Sequence, residues 1–378
     1  MATTGRRWRK LLLILLAGAA MLVATALFVL SGPQFGAPLS AAQRERARAN
    51  AHYHERGFVN DLPPAAYRLA DIWALLRGQF FGTQTRVPPA PLPVVTVDRQ
   101  ALAGAPSSVG LRALWIGHAS VYIEIDGLRV LVDPMFSDYA SPFALGPRRF
   151  QAPALPLEDL PVIDAVLITH DHYDHLDMRS VQQLARRGAT FVVPLGIGAH
   201  LDAWGVPAAQ IHELEWWQEQ AIGGVRVIAT PARHYSGRGL TDARATLWTS
   251  WAVIGPRHRF YVSGDSGYSD HFRLIGERLG PFDMSFMKIG AYGPGAPWLD
   301  IHMSVEDAVR AHREVRARRM FPVHWGTFNL AFHDWDDPIK RAVIAARAAD
   351  VELLTPRLGE FVDADRAFPS TPWWQTVR

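Results

Sequence analysis

Residues 168–177 read ITHDHYDHLD, three histidines and three aspartates set where the apolar run DAVLIT (164–169) ends. DAVLIT has strand character, so the polar cluster begins where a strand stops, a place where a rigid scaffold presents functional loops. His170, His172, Asp174 and His175 spell H-x-H-x-D-H. Imidazole nitrogen and carboxylate oxygen are good ligands for zinc and other first-row divalent cations. A polar loop holds two histidines by chance; three with an interleaved aspartate point to a metal site. Two adjacent cations, about 3.5–4 Å apart, need roughly six protein ligands and a bridging one. The missing ligands are therefore expected at other strand ends. His234 follows VRVIAT (225–230), Asp265 follows RFYVSG (259–264), and His324 follows a short run after a helix. Gly264 and Gly267 permit a tight turn around Asp265. Singly, each is an ordinary surface or capping residue; together they fit a site along one sheet edge.

The chain has 378 residues, just under half of them hydrophobic and a fifth charged, enough for a sizeable core. It has no cysteine, which excludes disulfides, thiolate metal sites and cysteine nucleophiles. Any metal site must use His, Asp and Glu. The pI near 9.3 has a local origin. Arg6, Arg7, Arg9 and Lys10 precede the first hydrophobic run, and without these four the chain carries 35 basic against 36 acidic side chains. A near-neutral remainder argues against nucleic acid as a partner. Nothing in the residues sets an oligomeric state.

LLLILLAGAAMLVATALFVL, residues 11–30, carries no charge. Twenty residues at about 1.5 Å rise span roughly 30 Å, the thickness of a hydrocarbon core, whereas a signal-peptide core runs about 7–15 residues. The run fits an uncleaved single-pass anchor. Small residues beyond it (Ala37, Ser40, Ala41, Ala42) keep a cleaved signal peptide as the alternative. The cations ahead of the helix place the remainder in the periplasm or exterior, although Arg44, Arg46 and Arg48 on the far side pull the other way.

The chain divides into a basic stub and membrane segment (1–31), a linker and N-terminal helical extension (32–109), a catalytic domain (110–365) and a C-terminal tail (366–378). In the extension, RERARAN reads as part of a short solvated helix. PPAAYRLADIWALLRGQFFG (63–82) opens on Pro and closes on Gly, as a helix does. Its apolar face either packs on the main domain or meets a membrane surface. RALWIG, SVYIEI, LRVLVD, TFVVPL and TSWAVIG add strands, with Asp126-Gly127 as a hairpin turn. Helices are predicted over 176–186, 268–279, 304–317 and 338–349. Hairpins mixed with helices predict an α+β chain of sheets covered by helices. No internal repeat is visible.

H-x-H-x-D-H followed by a distant His, Asp and His resembles the metallo-β-lactamase superfamily. WIGHASVYIEIDG, VLVDPMFSD, PARH, GDSGY, GPFDMSFMKIGAY and HWGTF resemble its N-acylphosphatidylethanolamine-hydrolysing phospholipase D branch, over residues 110–362. The resemblance implies an αβ/βα sandwich behind the N-terminal transmembrane helix. It implies one cation on His170, His172 and His234, a second on Asp174, His175 and His324, and Asp265 bridging both. The cations would be zinc, with iron or manganese as alternatives. Asp133 would orient a ligand from behind. His302 would be a catalytic residue touching the phosphate or leaving group. The implied reaction is attack of a metal-bridging hydroxide on phosphorus, releasing N-acylethanolamine and phosphatidic acid. The substrate would be a membrane phospholipid, and the anchor would hold the enzyme beside it in the bilayer.

The rivals are a lactonase or esterase, a nucleotide phosphodiesterase, and a non-enzymatic anchored binding protein. All seven candidate ligands are present, which disfavours the last. His118 is read as a loop buttress, Asp171 and Asp177 as solvated or capping groups, and His271, His312 and His333 as surface residues. Trp216, Trp217 and Trp298 are candidates for an apolar groove, with core packing as the alternative. Lys288 is equally a structural or an electrostatic residue.

Overall fold

The computed structural model describes residues 2–55 and 57–377, with the side chains of residues 2–7, 9–11 and 101 left out. The basic group Arg6, Arg7, Arg9 and Lys10 therefore lies outside the described side chains. The N-terminal part holds helix α1 (Ala2–Leu30), α2 (Ala41–Ala49), the short strands β1 (Tyr53–His54) and β2 (Gly57–Phe58), then α3 (Leu69–Phe81) and α4 (Arg99–Ala103). Within α1, Leu12–Leu30 is long and apolar enough to cross a membrane and is nowhere buried against the rest.

A meander follows: β3 (Leu111–Gly117), β4 (Ser120–Ile125) and β5 (Leu128–Val132). It is extended in parallel by β6 (Ala165–Leu167), β7 (Thr190–Pro194) and β8 (Ile211–Leu214), with α5 (Met178–Arg186) and α6 (Gly198–Ala203) between them. The plan then repeats. β9 (Glu219–Ile222), β10 (Val225–Thr230), β11 (Ser250–Ile254) and β12 (Arg259–Val262) are antiparallel. α7 (His271–Leu279), β13 (Phe282–Lys288), α8 (Ala296–Leu299), α9 (Val305–Glu314), β14 (Ala317–Val323), α10 (Asp337–Ala348) and β15 (Glu352–Leu353) follow, these strands being parallel. β16 (Phe361–Asp363) returns to pair with β3.

Two seven-stranded sheets result, ordered β16-β3-β4-β5-β6-β7-β8 and β15-β14-β13-β12-β11-β10-β9. In both, three antiparallel pairings are followed by three parallel ones, a likeness of halves that leaves no visible repeat in the sequence. Strand alternation explains why these runs are apolar almost throughout. Val121, Ile123 and Ile125 of β4 face the core between the sheets, while Tyr122 faces the outer layer. Ala165 and Leu167 of β6 point inward, and Val166 points out to α5 and α6. On the second sheet α9 and α10 cover the outer face with Val305, Ala308, Ile339 and Ala342.

The predicted strands are all present, and Asp126-Gly127 turns with both residues at positive φ, 45° and 92°, as a two-residue hairpin needs. The helix predicted from Pro63 begins only at Leu69. The preceding residues are held extended: the Leu62 and Pro63 carbonyls accept from Arg233, and Ala65 N–H donates to Asp300.

The Asp126 turn is also pinned across the sandwich. Its carboxylate accepts from the backbone N–H groups of Arg257 and His258 and from His258 Nδ1 (2.7 Å), while His258 Nε2 meets Asp365 (3.0 Å). Burial opposes the imidazolium of His258, and hydrogen bonds to the two aspartates override it, raising its pKa above 6.5. A raised folded-state pKa gives stability that is complete below the unfolded value and lost as pH rises through the folded one. We predict that His258→Gln lowers the melting temperature most near pH 6 and progressively less toward pH 9. Melting curves of both proteins across that range test it, and a pH-independent difference contradicts it.

Candidate metal centre

The candidate ligands and Asp133 lie in the loops that follow strands, and the strand ends meet at one edge of the sandwich. Asp133 follows β5, His170 follows β6, His234 follows β10, Asp265 follows β12 and His324 follows β14. Three residues at this edge take left-handed backbone: His118 (φ 53°), Asp133 (φ 40°) and His324 (φ 65°). Such strain at non-glycine residues costs on the order of 1 kcal/mol each and clusters at functional sites. Local bonds hold it. His118 N–H donates to Thr327 Oγ1 (2.6 Å), His324 N–H donates to the His118 carbonyl (3.0 Å), and Asp133 N–H donates to the Leu167 carbonyl (2.9 Å). Gly264 has φ 55°, and a Cβ on Gly267 would lie 1.9 Å from the Asp300 carbonyl, so both glycines around Asp265 are required.

One group of donors is His170, His172 and His234. The Thr169 hydroxyl donates to Asp133 Oδ2 (2.7 Å) and so accepts from His170 Nδ1 (2.9 Å), leaving His170 Nε2 as a lone pair. His234 Nδ1 donates to the Ile301 carbonyl (3.0 Å), which frees its Nε2 in the same way. These two nitrogens lie 3.0 and 3.3 Å from His172 Nδ1. Two nitrogens bound tetrahedrally at about 2.0–2.1 Å sit roughly 3.3 Å apart, so the spacing suits a shared cation.

The second group is Asp174, His175 and His324. His175 Nδ1 donates to Asp133 Oδ2 (2.8 Å). Its Nε2 lies 3.4 Å from Asp174 Oδ2 and 3.5 Å from Asp265 Oδ2. His324 Nε2 lies 3.4 Å from the first carboxylate and 3.1 Å from the second. Asp265 also groups with His170, so it stands between the two sets. His118 buttresses the His324 loop through its backbone, and its Nε2 additionally reaches Asp174 Oδ2 (2.9 Å).

Buried His175 Nε2, Asp265 Oδ1, His302 Nδ1 and His324 Nε2 have no hydrogen-bond partner among the described residues. Leaving one buried polar atom unpaired costs about 1–3 kcal/mol. Three of the four belong to the candidate ligands His175, Asp265 and His324, an arrangement that a divalent cation would satisfy. The donors present fit such cations.

Electrostatics separates the groups. Burial and the neighbouring imidazoles push His170 far below its usual pKa and His234 down to about 3. Burial also opposes charge on His175, but Asp174, Asp265 and Asp133 override it and hold its pKa well above the usual value. His302 Nδ1 lies 3.6 Å from Asp265 Oδ2, and burial with the nearby Lys288 ammonium holds that imidazole neutral. Lys288 itself is fully buried, donates to the Gly290 carbonyl (2.6 Å), and is lowered to about 8 by burial against the pull of Asp265 and Asp174.

The N-terminal extension reaches this edge. Asn60 Nδ2 donates to the His234 carbonyl (2.9 Å) and its Oδ1 accepts from His234 N–H (3.1 Å). Arg233, next in chain, clasps Asp300 and the Leu62 and Pro63 carbonyls. Neither Asn60 nor Thr169 stood out in the sequence. Thr169 had one legible signal, a hydroxyl immediately ahead of the cluster. Asn60 had none, because its partner lies 174 residues away.

Several surrounding residues differ from expectation. Asp171 is buried, accepting from Gly237 N–H and the Thr246 hydroxyl, rather than solvated or capping. Asp177 does cap α5. His271 and His312 are buried, bonded to Ser269 and Ser285, and His333 is half-buried, accepting from Ala291 N–H. Trp216 is core, Trp217 packs beside Arg278, and only Trp298 lies near the centre, 6.2 Å from the His302 ring.

The Beta-lactamase superfamily domain matches residues 128–325, the span that carries every one of these donors except His118. The chain is 41% identical over 348 residues to an uncharacterized protein of Mycobacterium tuberculosis, covering 89% of this chain and 90% of the other. It is 36% identical over 275 residues to the N-acyl-phosphatidylethanolamine-hydrolyzing phospholipase D 1 of Caenorhabditis elegans, covering 68% of this chain and 77% of that enzyme. Among solved structures, Igni18, a metallo hydrolase from Ignicoccus hospitalis, superposes with a TM-score of 0.53 at 22% identity, over 68% of this chain and 99% of its own. The chain belongs to the metallo-β-lactamase superfamily and is a metal-dependent hydrolase. Within that superfamily it falls in the branch that resembles the N-acylphosphatidylethanolamine-hydrolysing phospholipases D.

Asp133 accepts three hydrogen bonds that set two imidazoles at once. We predict that Asp133→Asn weakens divalent-cation affinity about 10–100-fold, as loss of a supporting carboxylate does. Asn60→Ala should weaken it as well. Competition against a chromophoric chelator measures both, and unchanged affinity in Asp133→Asn contradicts the assignment. Cation uptake must also displace the proton that the carboxylates hold on His175, so affinity should climb with pH from 6 to 8, with proton release visible by calorimetry in buffers of different ionisation heat.

Proposed function

We propose that this hydrolase is a phosphodiesterase acting on a membrane phospholipid, N-acylphosphatidylethanolamine, and releasing N-acylethanolamine and phosphatidic acid. The observation that carries this reading is the relation to the nematode phospholipase, which covers 77% of that enzyme. The donor set supports it. His170, His172 and His234 would hold one cation, Asp174, His175 and His324 the second, and Asp265 would face both. Zinc suits histidine and carboxylate donors in such a site, as iron or manganese also does. Bound there, the cations supply an activated water near neutral pH and counter-charge for the phosphoryl oxygens.

The chain's own residues supply the rest. Thr169, Asp133 and the Ile301 carbonyl fix the tautomers, so that lone pairs face the centre without rearrangement. His302 turns Nδ1 toward Asp265, which leaves its other nitrogen for the phosphoryl or leaving oxygen. With its single proton on Nε2, the neutral imidazole would donate to an oxygen on which charge develops. The buried Lys288 adds fixed positive potential behind Asp265. Leu12–Leu30 would anchor the enzyme in the bilayer that contains the substrate, with the catalytic domain outside the cytoplasm.

The deciding experiment incubates detergent-solubilised full-length protein of known metal content with N-acylphosphatidylethanolamine and follows both products by mass spectrometry. Chelator-sensitive release of both is expected. A metal-loaded protein that releases neither overturns the lipid reading, and lactones and nucleotide diesters become the next substrates. His172→Ala and Asp265→Ala should lose both metal and turnover. His302→Ala should keep its metal and lose about 10²–10⁴-fold in turnover, the range for a general acid or base. Metal loss in His302→Ala would make it a ligand instead.

A further inference from the structure

Helix α3 has its polarity reversed for a helix on a water-facing domain. Leu69, Ile72, Trp73, Leu76 and Phe80 recur at helical spacing on one stripe, and all five are exposed: Leu69 by 77%, Trp73 by 69% and Phe80 by 72%. The opposite face carries Asp71, only 4% exposed, and Gly78, whose Cβ would meet the Phe332 ring at 3.1 Å. Surface helices normally turn the apolar stripe inward. An outward apolar stripe of this size, extended by Leu62, Tyr67 and Phe81, marks an interaction surface.

Two placements say what covers it. The first is the tether of α1. Only Ser31 and Gly32 separate Leu30 from Pro33, whose carbonyl accepts from Trp204 Nε1 (2.7 Å). Ala37 N–H then donates to His200 Nδ1 (2.9 Å), and Arg238 donates both to the Gln34 carbonyl (2.9 Å) and to the Asp171 carbonyl (2.6 Å). Two residues reach at most about 7 Å. A bilayer spanned by α1 therefore touches the domain beside the H-x-H-x-D-H loop. The second is the seat of α3 at the same edge, where the partly exposed His172, Asp174 and His302 mark the opening of the centre. Phe332 under Gly78 packs on Trp298 (5.4 Å), and Trp298 lies 6.2 Å from the His302 ring. Ahead of the helix, the Leu62 and Pro63 carbonyls accept from Arg233 (2.9 and 2.8 Å), the neighbour in chain of His234. The tether thus borders the opening beside the Asp171 loop, and α3 borders it beside His302. Arg77, exposed next to the stripe, suits lipid phosphates, and no acid on α3 is exposed.

We propose that α3 lies in the bilayer interface as a second, peripheral anchor, so that α1 and α3 together hold the metal-centre opening against the leaflet and admit a bilayer-resident phosphodiester. This rests on the reading of α1 as a membrane span and deepens the phospholipase reading. The partner is the lipid leaflet; a second copy of the chain on the stripe is the competing outcome.

The cysteine-free sequence makes the test direct, because any introduced thiol is unique. Full-length Leu76→Cys and Ile344→Cys are labelled with an environment-sensitive fluorophore. Each is reconstituted into phosphatidylcholine–phosphatidylethanolamine vesicles with or without brominated acyl chains. Ile344 is exposed on α10, on the outer face of the second sheet. At least twofold bromine quenching at position 76 and none at 344 is expected. No quenching at 76 overturns the proposal. So does a label at 76 that is shielded but unquenched, with doubled mass in detergent, which assigns the stripe to self-association. In a second arm, the Trp73→Asp/Phe80→Asp protein should lose at least tenfold in hydrolysis of vesicle-embedded N-acylphosphatidylethanolamine. Its hydrolysis of water-soluble bis(4-nitrophenyl) phosphate should stay within twofold. Equal losses on both substrates overturn the docking role. Quenching at 76 without any lipid hydrolysis by the parent protein leaves the docking standing and removes the phospholipase reading; hydrolysis without quenching does the reverse.

Discussion

Everything at the centre hangs on the buried carboxylate of Asp133. One oxygen accepts from Thr169 N–H, the other from the Thr169 hydroxyl and from His175 Nδ1. These three bonds lock the end of β5 to the end of β6 and decide which nitrogen of His170 and of His175 carries a proton. Without that decision each ring would average over two tautomers, and only one presents a lone pair inward. The left-handed backbone of Asp133 is the strain accepted for this placement. A carboxylate behind the ligands thus does for geometry what the ligands do for charge.

The same edge explains the division of charge. Seven donors within a few ångströms cannot all be ionised in a buried region. Burial keeps His170, His172 and His234 neutral, so one side is a ready set of lone pairs. The other side concentrates Asp174 and Asp265, both held well below the carboxylate range by the imidazoles around them. The two sides therefore differ before any cation arrives: one is a set of neutral imidazoles, and the other pairs two carboxylates with imidazoles whose pKa values they raise. Such asymmetry suits a centre in which the two positions do unequal work.

What the sequence made legible follows from the range of each interaction. Strand runs, the Asp126-Gly127 turn and H-x-H-x-D-H are local patterns, readable within a dozen residues. His234, Asp265 and His324 were reachable because each follows a strand-like run, so local pattern and site logic coincide. Asp171 was misjudged as solvated because its partners, Gly237 and Thr246, come from a distant loop that closes over it. His271 and His312 were misjudged for a related reason: a histidine on a helix looks the same in sequence whether its helix face meets water or a sheet. The likeness of the two halves stayed hidden because topology, unlike ligand chemistry, constrains only which face each side chain takes.

The N-terminal extension is the clearest case of long-range placement. As sequence, residues 32–109 look like a linker carrying a short solvated helix and a second helix over 63–82. In the fold they travel along the rim of the opening. Gln34 meets the Arg238 that holds the Asp171 and Leu176 carbonyls, Asn60 clamps His234, Leu62 and Pro63 meet Arg233, and Thr85 bonds Asp334 and Trp335 beside the His324 loop. A flexible tether would leave such backbone groups to water, whereas here each one closes a hydrogen bond to a loop that bears or borders a donor. The segment joining α1 to the catalytic sandwich is therefore part of the wall of the metal centre. Its hydrogen bonds to the sandwich begin at Pro33, three residues past α1, and reach His234 through Asn60.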